Sequence, residues 1–142
     1  MNSYVFYDTW AFRALANRRD PFHEIAGRIN LEILDSGRLP LTTSYVIDET
    51  LTGIRLDGGA AAAFVFADGL FPAVDAGEMD CIYIDRKLER DALALFRSLT
   101  GVPKLSFTEC TSFAVMKARG ISDAFTRDSH FDAAGFRRLV EK

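Results

Sequence analysis

Apolar positions in this chain recur in two rhythms, short continuous runs that suit buried strands and three-to-four-residue spacings that suit helices, and the two alternate along its length. The first run, Tyr4 to Tyr7 (YVFY), is rich in β-branched and aromatic residues and stops at Asp8, as expected of a strand covered on both faces. Thr9 is placed to cap a helix, and Trp10, Phe12, Ala14 and Leu15 predict a short one that stops within residues 17–20. Asp20 followed by Pro21 predicts the cap and first position of a longer helix, whose stripe of Ile25, Ile29, Ile33 and Leu34 ends at Gly37. Residues 38–43 (RLPLTT) predict a second strand, and Ser44 a cap for a helix carrying Val46, Ile47 and Leu51. Gly58 and Gly59 break that helix and the alanine-rich stretch to Leu70 restarts it, while residues 71–78, with Pro72 and Gly77, predict a loop.

Residues 79–84 (MDCIYI) alternate into a third strand, and Asp85 opens a helix with Leu88, Ala92, Leu95, Phe96 and Leu99 on one side, ending at Gly101 and Pro103. Phe107 to Arg119 is amphipathic and closed by Gly120. Residues 121–126 (ISDAFT) predict a fourth strand running into Asp128, with a short helix and a last strand near residues 136–140 to finish the chain. Strands separated by helices imply right-handed βαβ units, hence an α/β fold with a parallel sheet covered on both faces.

At 142 residues the chain is the size of one domain, and 49% hydrophobic with 26% charged residues is ordinary globular usage. No linker, repeat or low-complexity tract divides residues 1–142, so a single domain is expected. Cys81 and Cys110 lack metal-ligand spacing and sit among apolar neighbours, which points to reduced thiols. The opening residues lack a basic segment followed by an apolar stretch, and the run from Ala60 to Ala67 falls far short of the ~20 residues that span a bilayer. A cytoplasmic protein with no membrane span is the expectation. The net charge of -3 does not advertise a nucleic-acid partner, but it is unevenly spread: residues 104–142 carry seven basic and five acidic side chains, giving +2 there and -5 elsewhere.

In open parallel sheets ligands bind beyond the carboxyl ends of the strands, where the strand order reverses. Asp8 and Asp128 are each the first acid after a strand-like run, so two carboxylates from opposite ends of the chain are expected at one rim. Either alone is more often a helix cap or turn residue than a ligand.

The wider pattern resembles the PIN-domain ribonuclease family, over nearly the whole chain. VFYDTWAFRALANRRDPFHEIA is similar to the family's opening: a hydrophobic strand, its aspartate (Asp8), a small hydroxyl residue, a helix, and an Asp-x-x-His element (Asp20, His23). LTTSYVIDET resembles the second block, which places the family's glutamate at Glu49 and passes over the adjacent Asp48. LSFTECTSFAVMKARGI resembles the third block, with Glu109 where an aspartate is usual, and AFTRDSHFDAAGF the last, which places an acid at Asp128. Two roles are open to Glu109, because Ser106-Phe107-Thr108-Glu109 also fits a capping box.

The resemblance implies a three-layer α/β/α sandwich around a central, mainly parallel sheet of four to five strands. It further implies an endoribonuclease whose Asp8, Glu49, Glu109 and Asp128 hold Mg2+ or Mn2+, with Thr126 in support; Asp132, one helical turn after Asp128, is a substitute candidate, though such an acid is more often a solvated surface residue. Hard divalent ions favour such oxygen donors and supply what phosphodiester hydrolysis needs at neutral pH. Within the family the pattern is most similar to VapC-like toxins of toxin–antitoxin pairs, which implies an RNA substrate, a small antitoxin partner and a homodimer. Phe64, Phe66, Leu70 and Phe71 are candidates for such contacts or for the core. Arg127, Arg119 and Lys117 are candidates for backbone phosphates or for a solvated face; His23 and His130 are expected at the surface or in helix packing. Two rivals are a catalytically inactive PIN scaffold serving as a binding module and a phosphohydrolase of the haloacid type, the latter disfavoured by Trp10 where a second aspartate is needed.

Overall fold

The computed structural model describes residues 3–141, in the order β1 (Tyr4–Tyr7), α1 (Thr9–Ala16), α2 (His23–Asp35), β2 (Leu39–Thr43), α3 (Ser44–Gly58), α4 (Ala60–Asp75), β3 (Asp80–Ile82), α5 (Arg86–Ser98), α6 (Phe107–Arg119), β4 (Asp123–Phe125), α7 (His130–Ala133) and β5 (Arg137–Arg138). All four strand pairings are parallel, in the order β3-β2-β1-β4-β5, so the expected α/β sandwich forms around a five-stranded sheet with no antiparallel member among the described residues. The strand formed from the first residues lies at the centre. Val5, Phe6 and Tyr7 are at most 1% exposed although successive side chains point to opposite faces, so helices cover both sides of β1. From β1 the chain moves outward through β2 and β3 and then returns to place β4 on the other flank, which opens a crevice at the carboxyl ends of β1 and β4. Among the described residues no helix is long and apolar enough to cross a membrane.

Aromatic packing fixes the end of the sheet that matters most. Phe131 is fully buried and stands edge-on to Phe113, with ring centroids 5.0 Å apart, and against Phe6 at 6.3 Å. This pins α7 against β1 and α6; truncating Phe131 to alanine is expected to cost about 3–5 kcal/mol. Tyr7 meets Phe125 edge-on at 4.9 Å and locks β1 to β4.

Some local expectations give way. Asp20 does not cap α2: its Oδ1 accepts from the Phe22 amide at 2.8 Å, so Asp20 and Pro21 form a turn and the helix begins at His23. Thr43, not Ser44, caps α3 by accepting from the Val46 amide, while Ser44 Oγ accepts from the Ile84 amide and ties the helix start to the end of β3. The predicted loop at residues 71–78 is helix as far as Asp75, with Pro72 inside it. Proline costs one hydrogen bond there, but buried Leu70 and the packed Val74 hold the last turns against the core. Gly53 permits a close approach, since a Cβ at that position would lie 3.2 Å from the Arg13 guanidinium, which reaches across α3 to pair with Asp57.

Candidate active site

Asp8 stands just past β1, at the N-cap position of α1, and is 8% exposed. Its Oδ2 accepts a hydrogen bond from Thr126 Oγ1 at 2.9 Å, across 118 residues of sequence, and its backbone amide donates to the Phe125 carbonyl at 3.3 Å. Thr126, fully buried just past β4, is a two-way clamp: its Oγ1 also accepts from the Asp128 amide at 3.1 Å. The β1–β4 pairing thus carries Asp8 and Asp128 to one rim, as their positions after strand-like runs predicted. Burial pushes the Asp8 carboxyl up to about 7, against the lowering effect of the hydrogen bonds from Thr126 and Thr9, and the charges of Asp128 and Glu109 push the same way as burial.

Glu109 opens α6 in both of its expected guises. The capping box is present, with Ser106 Oγ accepting from the Glu109 amide at 3.0 Å and Glu109 Oε1 accepting from the Ser106 amide at 2.9 Å. The same carboxylate also joins the acid cluster, because Glu109, Asp128 and His130 bring one ligand-type atom each within 4.8 Å of one another. His130 is the member that sequence reasoning missed. Expected at the surface or in helix packing, it places Nδ1 2.8 Å from Glu109 Oε2 and 3.5 Å from Asp128 Oδ1. The signal was its position two residues after Asp128: the His130 amide donates to Asp128 Oδ1 at 2.9 Å, a tight Asx-type turn that folds the ring back.

Charge is shared unequally in this corner. Burial would pull the His130 imidazole down, but the hydrogen bond and charge of Glu109, with Asp128 behind, lift it above its ordinary value. Burial and the hydrogen bond with Asp128 raise Glu109, outweighing the lowering effects of Ser106 and His130. Asp128 goes the other way: burial opposes ionisation, yet hydrogen bonds from Glu109 and the His130 amide, with the charges of His130 and Arg138, hold it below the usual carboxylate range.

Glu49 is exposed on α3, and its Oε1 accepts from Thr9 Oγ1 at 2.8 Å. It lines, with Asp8 and Asp128, a cleft of about 1030 Å³ whose wall also carries Trp10, Arg18, Arg19 and Arg127. Asp132 is engaged elsewhere, pairing with Arg138 at 2.7 Å. His23 is tied by Nδ1 to the Ala14 carbonyl at 2.8 Å and joins α2 to α1. Cys81 and Cys110 are unpaired thiols.

No protein-family model matches the chain. Two curated relatives do, both the 23S rRNA-specific endonuclease VapC20 of Mycobacterium tuberculosis, from strains CDC 1551 / Oshkosh and ATCC 25618 / H37Rv. Each is 32% identical over 133 residues, which is 93% of this chain and 95% of the relative. The chain belongs to the VapC family. That is a family of PIN-domain toxin endoribonucleases, and the likeness runs through the backbone. The crystal structure of Mycobacterium tuberculosis VapC20, described as a sarcin–ricin loop cleaving toxin, superposes with a TM-score of 0.80 at 30% identity, over 94% of this chain and 96% of that one. VapBC2 from Rickettsia felis, solved on a DNA fragment from its promoter, shares the VapC fold with a TM-score of 0.70 at 14% identity, over 95% and 98% of the two chains.

Proposed function

We propose that this VapC-family chain hydrolyses RNA at the rim between β1 and β4, with Asp8, Asp128 and Glu109 holding a divalent cation, Mg2+ or Mn2+, and Glu49 flanking it. The observation that supports this best is the Thr126 clamp, which draws two carboxylates from opposite ends of the chain to a single rim. The donor set fits such an ion, since hard oxygens predominate and the burial and crowding that lift Asp8 to about 7 are relieved by a positive charge. When bound, the cation supplies an acidified water near neutral pH and neutralises charge on the phosphate. The chain's own residues do the rest. Thr126 and the Thr9 amide fix the Asp8 carboxylate, the His130 amide orients Asp128, and His130 Nδ1 holds the Glu109 side chain at the cluster.

The substrate class that fits is an unpaired RNA loop, because unstacked backbone enters a carboxylate cleft more readily than a duplex; the relative's specificity suggests a ribosomal RNA loop. A cytoplasmic toxin held by a small antitoxin, and a homodimer, belong to the same reading. Phe64 at 59%, Val65 at 74% and Phe71 at 43% exposure supply apolar surface on α4 for those contacts, whereas Leu70 is core. The test is cleavage of a labelled RNA pool by the purified chain with Mg2+ or Mn2+. Cleavage lost in EDTA and restored by either ion is expected; a chain that binds RNA but never cuts it is an inactive scaffold.

A further inference from the structure

The carboxylates create a difficulty for their own substrate. RNA brings one negative charge per nucleotide, the chain is net negative, and the cleft is lined by Asp8, Glu49 and Asp128. An ion at the cluster neutralises the scissile phosphate but not its neighbours along the strand.

Three arginines on the same wall are available to those neighbours. Arg13 is committed to Asp57, but among the described residues the side chains of Arg18, Arg19 and Arg127 have no carboxylate within ion-pair distance. Arg127 is the most fixed of them. Its guanidinium carbon lies 4.3 Å from the centre of the Phe22 ring, its backbone carbonyl accepts from Arg138 at 2.8 Å, and its Nε is buried without a hydrogen-bond partner. A stacked guanidinium keeps its planar fork oriented and loses less side-chain freedom on binding than a solvated one, which suits two-pronged capture of phosphate oxygens. Arg18 and Arg19 sit on the turn between α1 and α2, where the Arg19 amide donates to Asn17 Oδ1 at 3.0 Å and the Asp20 amide to the Asn17 carbonyl at 3.0 Å.

The geometry points to a phosphate-binding track on this wall, resting on the ribonuclease reading. Arg127 takes the RNA phosphate next to the scissile one, and Arg18 and Arg19 take phosphates further along the strand. The ligand class is RNA backbone, read by charge and not by base.

Binding of a labelled RNA hairpin by the full-length Asp8→Asn chain, measured over a range of KCl concentrations, tests the track. Each lost contact is expected to flatten the plot of log K against log salt by about 0.7, so Arg127→Gln changes the slope by one such step and the triple arginine-to-glutamine variant by about two to three steps. In the cleaving chain, Arg127→Gln raises KM about tenfold and leaves kcat within about twofold, the signature of a group that grips substrate without entering the chemistry. Arg127→Lys retains the charge, keeps the slope and recovers part of KM. Arg97→Gln, on the exposed side of α5, leaves both unchanged. A hairpin that binds with the same salt slope in the parent and the triple variant overturns the track and leaves the ribonuclease reading standing. A parent that binds no RNA at any salt concentration overturns both.

Discussion

Asp8 and Glu49 face one cleft but are held in opposite ways. Asp8 follows directly on the central strand, is nearly inaccessible, and is pinned by Thr126 and by its amide's bond to Phe125; Glu49 stands on the open face of a helix with Thr9 Oγ1 as its hydrogen-bond partner. Burial lifts the Asp8 carboxyl to about 7, so the side chain that is hardest to move is also the one that gains most from a nearby cation. Under the proposed reading the crowded, buried acid carries the ion and the exposed one at the edge of the cleft adjusts it.

The largest effect expected is on cleavage. Asp8→Asn or Asp128→Asn should each lower the rate of RNA hydrolysis about 1,000-fold or more, the scale of several kcal/mol of lost charge stabilisation. Initial rates within tenfold of the parent would remove the rigid side of the contrast.

Next comes stability against pH. Asp8 binds its proton more tightly folded than unfolded, so its contribution is present below its ordinary value of 3.8 and lost as pH rises to about 7. Metal-free chain should therefore weaken over that window by up to about 4 kcal/mol through this group, and Asp8→Asn should flatten the profile. Urea melts of both chains at pH 5 and pH 8, with and without Mg2+, read this directly; equal pH profiles would show that the carboxyl is not strained.

Thr126→Val keeps the volume but drops both clamp bonds, with an expected loss of about 10- to 100-fold in activity or metal affinity. Glu109→Gln separates two roles, because glutamine still serves a capping box. Its thermal melt should barely move, within about 0.5 kcal/mol, while activity falls about tenfold if the carboxylate serves the ion. The smallest effect is assigned to Glu49→Gln, at about two- to fivefold in kcat/KM; a loss as deep as that of Asp8→Asn would erase the distinction between the two acids.

Local patterning made most of this fold readable. β1 is a continuous apolar run, α6 carries its own start and stop signals in Ser106 and Gly120, and Asp8 and Asp128 come just after strands whose ends must share a rim. Glu49 over Asp48 came from family likeness, because adjacent helix residues differ only in which way they point. Features set by distant neighbours stayed hidden. Ser44 looked like a cap until Ile84 claimed its hydroxyl, Pro72 looked like a break until core contacts through Leu70 and Val74 carried the helix past it, and His130 revealed its place only once α6 brought Glu109 beside it.

The Thr126–Asp8 bond joins residues made 118 positions apart. A growing chain has its central strand long before β4 and Thr126 emerge to partner Asp8, and domains form as the polypeptide leaves the ribosome. The rim that holds Asp8 and Asp128 together therefore forms only after β1, β2, β3 and β4 have all been made, and a chain stopped short of β4 lacks it.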